Sequence, residues 1–178
     1  MNFCSNCGKP LSLLIPEGDS IERYVCKHCG TVHYQNPRMI VGCLPVWEEK
    51  ILLCKRAIEP RYGKWTIPAG FLENNETVEE GALRETKEEA GADVEIVRLH
   101  TLYSLPHVAQ VYAIFLANMK SSHIDPGEES LECKIYAIDE LPWDDIAFTA
   151  VSYSLKKYIA NIESNSDKTF LGFLDKYR

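Results

Sequence analysis

The chain has 178 residues, 46% of them hydrophobic and 25% charged, with a formal net charge of −7. That is enough to bury one full core with a small module beside it, which excludes a wholly disordered chain. No run of about 18 apolar residues occurs, which excludes a membrane-spanning helix, and the acidic balance argues against a general nucleic-acid binder.

The N-terminal segment carries Cys4-x2-Cys7 and, after 18 intervening residues, Cys26-x2-Cys29. This is zinc-ribbon spacing, and a glycine follows each pair (Gly8 and Gly30), as a tight turn around a tetrahedral thiolate site favours. The expected ligands of a structural Zn2+ are therefore Cys4, Cys7, Cys26 and Cys29. Four thiolates complete the shell without His28 or His33, and one zinc can hold together a segment too small for its own core. Residues 1–37 balance Lys9, Arg23 and Lys27 against Glu17, Asp19 and Glu22, so the ribbon lacks the basic surface that grips phosphate backbones. Met1-Asn2-Phe3-Cys4 shows neither a basic start nor an apolar run, so secretion is not expected and the cytoplasm is. Asn36-Pro37 closes the ribbon, giving expected divisions at 1–36, 37–163 and 164–178.

Downstream, Met39 to Trp47 and Ile51 to Arg56 read as an antiparallel hairpin, and Trp65 to Ile67 as a short strand. Thr77 with Glu80 makes a capping box and Gly91 a left-handed terminator, which predicts a helix over Val78 to Ala90. Glu85, Glu88 and Glu89 fall on one arc of that helix. Ala82, Leu83, Thr86 and Ala90 fall on another, expected to pack. Clustered like charges destabilise a helix unless something positive compensates them, which points to Mg2+ or Mn2+. Gly81 lies on the acidic arc and leaves room for a loop or ligand, while Arg84 lies beside Glu88 on that arc and can pair with Glu76. Val94 to Tyr103, Ala109 to Met119 and Cys133 to Asp139 read as strands. Ala150 to Ile162 reads as a second helix, with Val151, Leu155, Tyr158 and Ile159 on one side. Cys43, Cys54 and Cys133 lie in apolar runs and read as core thiols. This order of elements predicts an α/β/α sandwich with a mixed sheet behind the small ribbon. Phe170, Phe173, Leu174 and Tyr177 recur at helical spacing, predicting a short C-terminal helix packed on the body or on a second subunit.

Gly70, Glu76 and the run Arg84-Glu85-Thr86-Lys87-Glu88-Glu89-Ala90-Gly91-Ala92 resemble the Nudix box over 23 residues. Thr86 departs from it, standing where the family usually has a larger aliphatic residue. The resemblance implies a hydrolase acting on nucleoside diphosphates linked to another moiety. It also implies that Glu85 and Glu89 are metal ligands, that Glu88 is a third ligand or orients the water, and that a backbone carbonyl near Ala69-Gly70 completes the shell. Arg84 joins the catalytic set. An acid on a later loop serves as general base in some members, so Glu128, Glu129 and Glu132 are candidates, with Glu129 preferred. The segments Tyr34 to Pro37, Trp65 to Gly70 and Glu129 to Cys133 resemble the FAD and ADP-ribose pyrophosphatases. Relatives that prefer NADH carry Ser-Gln-Pro-Trp-Pro-Phe-Pro after the box, where this chain reads Leu102 to His107. The resemblance thus favours FAD or ADP-ribose, cleaved to FMN or ribose phosphate plus AMP, with Tyr103 and Pro106 nearest the substrate and His107 and Tyr112 as further ring contacts. Its alternatives are an NADH pyrophosphatase, an RNA-decapping enzyme, or a non-catalytic nucleotide sensor. A small-molecule substrate, no membrane, no nucleic acid and a homodimer are the expected partnerships.

Overall fold

The computed structural model describes residues 1–174, so Tyr177 lies outside the described residues. Backbone contacts divide the chain into two compact units, the first being Met1–Pro37. Within it, β1 (Ser12–Leu14), β2 (Arg23–Val25) and β3 (Val32–His33) form an antiparallel sheet in that order. Two matching turns carry the cysteines. The Cys4 amide donates to the Lys9 carbonyl and the Gly8 amide to Cys4, while Cys26 donates to Thr31 and Gly30 to Cys26. Gly8 and Gly30 take φ of 71° and 74°, a left-handed conformation that costs glycine little.

The second unit is built on one mixed sheet. In chain order its strands are β4 (Arg38–Trp47), β5 (Lys50–Arg56), β6 (Trp65–Thr66), β7 (Ala69–Phe71), β8 (Val94–Leu105), β9 (Gln110–Met119), β10 (Ser130–Tyr136) and β11 (Phe170–Phe173). The spatial order is β10-β5-β4-β9-β8-β11, with β6 on β5 and β7 on β4. The helices are α1 (Val78–Ala90) and α2 (Thr149–Glu163). Alternation along the strands assigns the two faces. Ile40, Leu44, Ile51, Leu53 and Ile114 pack with Ala150, Val151 and Leu155 of α2. Val41, Cys43, Leu52, Cys54 and Phe115 pack with Ala82 and Ala90 of α1. A sheet covered on both faces requires uninterrupted apolar strands, and Ile51-Leu52-Leu53-Cys54 is one. No helix among the described residues is long and apolar enough to cross a membrane.

The capping box forms as expected, with the Glu80 amide donating to Thr77 Oγ1 at 3.1 Å and the Thr77 amide to Glu80 Oε2 at 2.8 Å. Gly91 closes α1 at φ 62°. Three expectations are corrected. Leu83, placed on the packing arc, is 37% exposed. Gly81 is buried and admits no ligand: a Cβ there would meet Val41 and Leu72 of the body and the Glu76 carboxylate, so its role is close packing of α1. The C-terminal helix is instead strand β11, parallel to β8, with Phe170 opposite Thr101 and Phe173 opposite Ser104. Over four residues an apolar stripe fits period 2 as well as 3.6, and the free edge of β8 offers main-chain partners that a helix would leave unpaired. Phe170 consequently turns inward beside His100, while Leu171 and Phe173 face outward.

Candidate active site

Three elements converge on one end of the second unit. β7 lies against β4 because Gly42 has no side chain; a Cβ there would strike Ala69 and the Pro68 carbonyl. This brings Gly70 against α1 so closely that a Cβ at Gly70 would overlap the Glu85 carboxylate. The third element is the loop before β10. Its Asp125 amide donates to the Ala90 carbonyl at 2.8 Å and its Gly127 amide to the Glu89 carbonyl at 3.1 Å, which presents Glu128 and Glu129 beside the helix.

The acids differ sharply in environment. Glu88 is exposed, Glu85 partly buried, and Glu89 buried at 6% exposure, so Glu89 does not share the open arc expected for it. Burial raises the Glu89 carboxyl to about 8, the Glu85 charge adds to this, and the Ala69 amide, 3.3 Å from Glu89 Oε2, and Arg56 offset part of it. Burial also raises Glu85, with Arg84 opposing. Arg84 is the organiser. Its Nε and Nη2 donate to Glu76 at 3.0 and 2.7 Å, Nη1 donates to Glu85 at 2.7 Å and Glu88 at 3.0 Å, and Nη2 also reaches the Phe71 carbonyl at 3.2 Å. The same grip holds the Glu76 carboxyl down at about 2. With its donors so engaged, Arg84 positions the acids and has little left to offer a substrate.

The cluster suits a divalent cation. Glu89 is a buried carboxylate short of positive charge, and Gly70 leaves a cradle between β7 and Glu85. Among the described residues, however, the four cysteines are the only group of three or more acids, histidines or cysteines whose ligand atoms lie within 4.8 Å of one another. The three glutamates stand wider, with Arg84 between Glu85 and Glu88. The cysteines suit zinc. Cys4 Sγ is 3.7 Å from Cys29 Sγ and Cys7 Sγ 3.5 Å from Cys26 Sγ, near the edge of about 3.8 Å of a tetrahedron with Zn–S arms of ~2.3 Å. His33 Nε2 lies 3.3 Å from Cys4 Sγ and acts as a partner to that sulfur. The Thr31 hydroxyl and amide bring the Cys29 thiol down to about 5.

A cavity of about 830 Å³ opens beside the acids, and its lining combines Glu85, Glu88, Glu89, Glu128 and Glu129 with Arg56, Phe71, Gln110, Tyr112 and Phe148. Tyr103 and Pro106 do not line it, contrary to expectation. Tyr103 is 6% exposed and packs on Tyr153 with ring centroids 4.9 Å apart; Pro106 opens the exposed turn Pro106–Val108. Tyr112, the cross-strand partner of Tyr103, reaches the cavity instead, and His107 does not. Glu132 also lies outside it, and it pairs at 3.9 Å with Lys55. Arg56, Phe71, Gln110 and Phe148 escaped the reading of the sequence. Arg56 had a usable signal, a cation closing the apolar strand β5. Its Nε donates to the Pro60 carbonyl at 2.8 Å and its guanidinium stacks 5.0 Å from the Phe148 ring.

Residues 36–156 match the model of the NUDIX domain family, and residues 2–35 the Nudix N-terminal zinc-ribbon family. The chain belongs to the Nudix hydrolase family. A crystal structure of a Nudix hydrolase from Nitrosomonas europaea is 53% identical, with a TM-score of 0.95 over 99% of this chain and 100% of that one. Among Nudix proteins, the NAD-capped RNA hydrolase NudC of Salmonella heidelberg is 33% identical over 144 residues, covering 79% of this chain and 53% of that protein. This chain thus spans about half the length of that relative. An ADP-ribose pyrophosphatase of Methanocaldococcus jannaschii is 32% identical over 115 residues, 61% of this chain and 67% of that one.

Proposed function

We propose that this Nudix protein hydrolyses the pyrophosphate linkage of a dinucleotide or nucleotide-sugar with Mg2+ or Mn2+. The observation that carries the reading is one cavity lined both by the acids Glu85, Glu88, Glu89 and Glu129 and by Arg56, Tyr112, Phe71 and Phe148. Such a lining suits a cation-bound diphosphate at the acids, a phosphate oxygen at Arg56 and an aromatic ring at the aromatic side chains. Glu85 and Glu89 are the proposed metal ligands, with Glu88 a third, and the main chain at Ala69-Gly70 lies beside them. A bound cation would neutralise the phosphates and lower the pKa of its water. Glu129 takes the proton from the attacking water, Arg84 holds Glu85 and Glu88 in place, and Arg56 orients the diphosphate. Zn2+ at Cys4, Cys7, Cys26 and Cys29 has a structural role, since four thiolates leave no open position.

ADP-ribose or FAD is the favoured substrate, supported by the ADP-ribose pyrophosphatase relative and by the missing NADH-type segment at Leu102 to His107. The NudC relatives favour a second reading, NADH or an NAD-capped RNA end. A panel of ADP-ribose, FAD, NADH and NAD-capped RNA with either metal, products identified, separates the two. ADP-ribose or FAD should exceed NADH about tenfold in kcat/KM, and NADH as best substrate would establish the second. Free thiols at Cys43, Cys54 and Cys133 support a reducing compartment, the cytoplasm. Outward-facing Leu171 and Phe173 on the edge strand support a homodimer, which light scattering of a monomer at micromolar concentration would overturn.

A further inference from the structure

The loop that carries Glu129 is fastened on two sides. Toward α1, the Asp125 and Gly127 amides donate to the Ala90 and Glu89 carbonyls, so the loop occupies acceptors that the last turn of a helix otherwise leaves to water. Toward β5, the Glu129 carbonyl accepts from the Ala57 amide at 2.8 Å, the residue after Arg56. The Ser130 amide closes the turn onto the Gly127 carbonyl at 3.0 Å. The approach to α1 is closest at Gly127, where a Cβ would land inside the van der Waals sphere of the Glu88 carbonyl oxygen. A backbone oxygen in a helix cannot turn aside as a side chain can, so any larger residue must lift the loop. Glu129 lines the same cavity as Glu85 and Glu89, and this main-chain seam holds the backbone that carries it.

We infer that Gly127 is a positioning residue: by letting the loop seat on the Glu88–Ala90 end of α1, it fixes the Glu129 carboxylate against the acids of that helix. The inference rests on the reading of Glu129 as the base. It makes Gly127 act on turnover through Glu129, with cation and substrate affinity unaffected.

The test is a double-variant cycle on the full chain with ADP-ribose and Mg2+. Glu129→Gln should lower kcat about 100-fold. Gly127→Ala should lower it by a similar factor, because misplacement of a reacting group by ~1 Å costs on the order of 100-fold, while KM and Mn2+ affinity by equilibrium binding stay within about threefold. The double variant should fall no more than about threefold below Glu129→Gln alone, since the group being positioned is already gone. Wild-type turnover in Glu129→Gln would overturn the assignment of Glu129 itself. An impaired Glu129→Gln beside a fully active Gly127→Ala, or two losses that multiply, would overturn the role of Gly127 alone. If Gly127→Ala does not fold, Asp125→Pro removes the amide bonded to Ala90 without adding bulk at Glu88. It is expected to lower kcat in the same non-additive way, and full kcat in that folded variant would overturn the inference.

Discussion

Glu89 is held in the interior, between β7 and the loop before β10, and this gives it a pH signature of its own. Its carboxyl sits at about 8 in the fold against 4.5 for an ordinary glutamate. The folded state therefore holds a proton that the unfolded chain has released, and metal-free stability should be highest below the ordinary value, fall as pH rises from about 5 to 8, and level off above. At about 1.4 kcal/mol per unit the change is on the order of a few kcal/mol. Urea midpoints of the metal-free protein should show this slope, and Glu89→Gln should flatten it while reducing kcat below a tenth of wild type at saturating Mg2+. Parallel slopes in the two proteins would contradict the assignment. The three glutamates were legible from helical spacing, but the burial of Glu89 was not, since it depends on how closely Gly70 and Gly127 let their segments approach. The same limit explains Tyr103. Two tyrosines on paired strands look alike in sequence and both are buried in the fold, and only the packing shows that Tyr112 borders the cavity while Tyr103 lies against Tyr153. Tyr112→Ala should accordingly change the ratio of kcat/KM between substrates differing in their non-adenylyl half. Tyr103→Ala should lower stability by about 2–5 kcal/mol, as loss of a buried aromatic does, and leave the ratio unchanged; the reverse pattern would return Tyr103 to the site.

At the level of elements, α1 was readable to the residue because its ends are chemically marked by Thr77, Glu80 and Gly91, and the long strands were readable from their apolar runs. Strand β11 was not. Its placement depends on Gly172, which lies where a Cβ would meet Tyr103 and Tyr153, and on the Tyr153 hydroxyl donating to the Leu171 carbonyl at 2.8 Å. Nothing in residues 170–174 announces a parallel partner about seventy positions earlier. Gly172→Val should force these rings apart and cost about 1–3 kcal/mol, as overpacking does. The loss should appear in the urea midpoint and in amide exchange of residues 101–104, which pair with β11, with little effect at β4 and β5. An unchanged midpoint would mean that the strand is not held by this contact.

Across the whole molecule, the two units are stabilised by different physics. The second unit has apolar clusters on both faces of its sheet. In residues 1–37 the only buried side chains are Cys4 and Cys26, two of the four zinc-ribbon cysteines. A three-stranded sheet with no apolar core does not hold itself against chain entropy, so the stability of this unit must come from the cation. Binding of a structural zinc supplies about 10–16 kcal/mol to small domains of this type at neutral pH. Purified protein should therefore contain one zinc per chain. A strong chelator, or Cys26→Ser, should abolish the amide protection and resonance dispersion of residues 4–33 while the second unit keeps its cooperative thermal transition. Retention of ribbon structure without metal would show that the sheet has another source of stability, and simultaneous loss of the second unit's transition would show that the two do not fold independently.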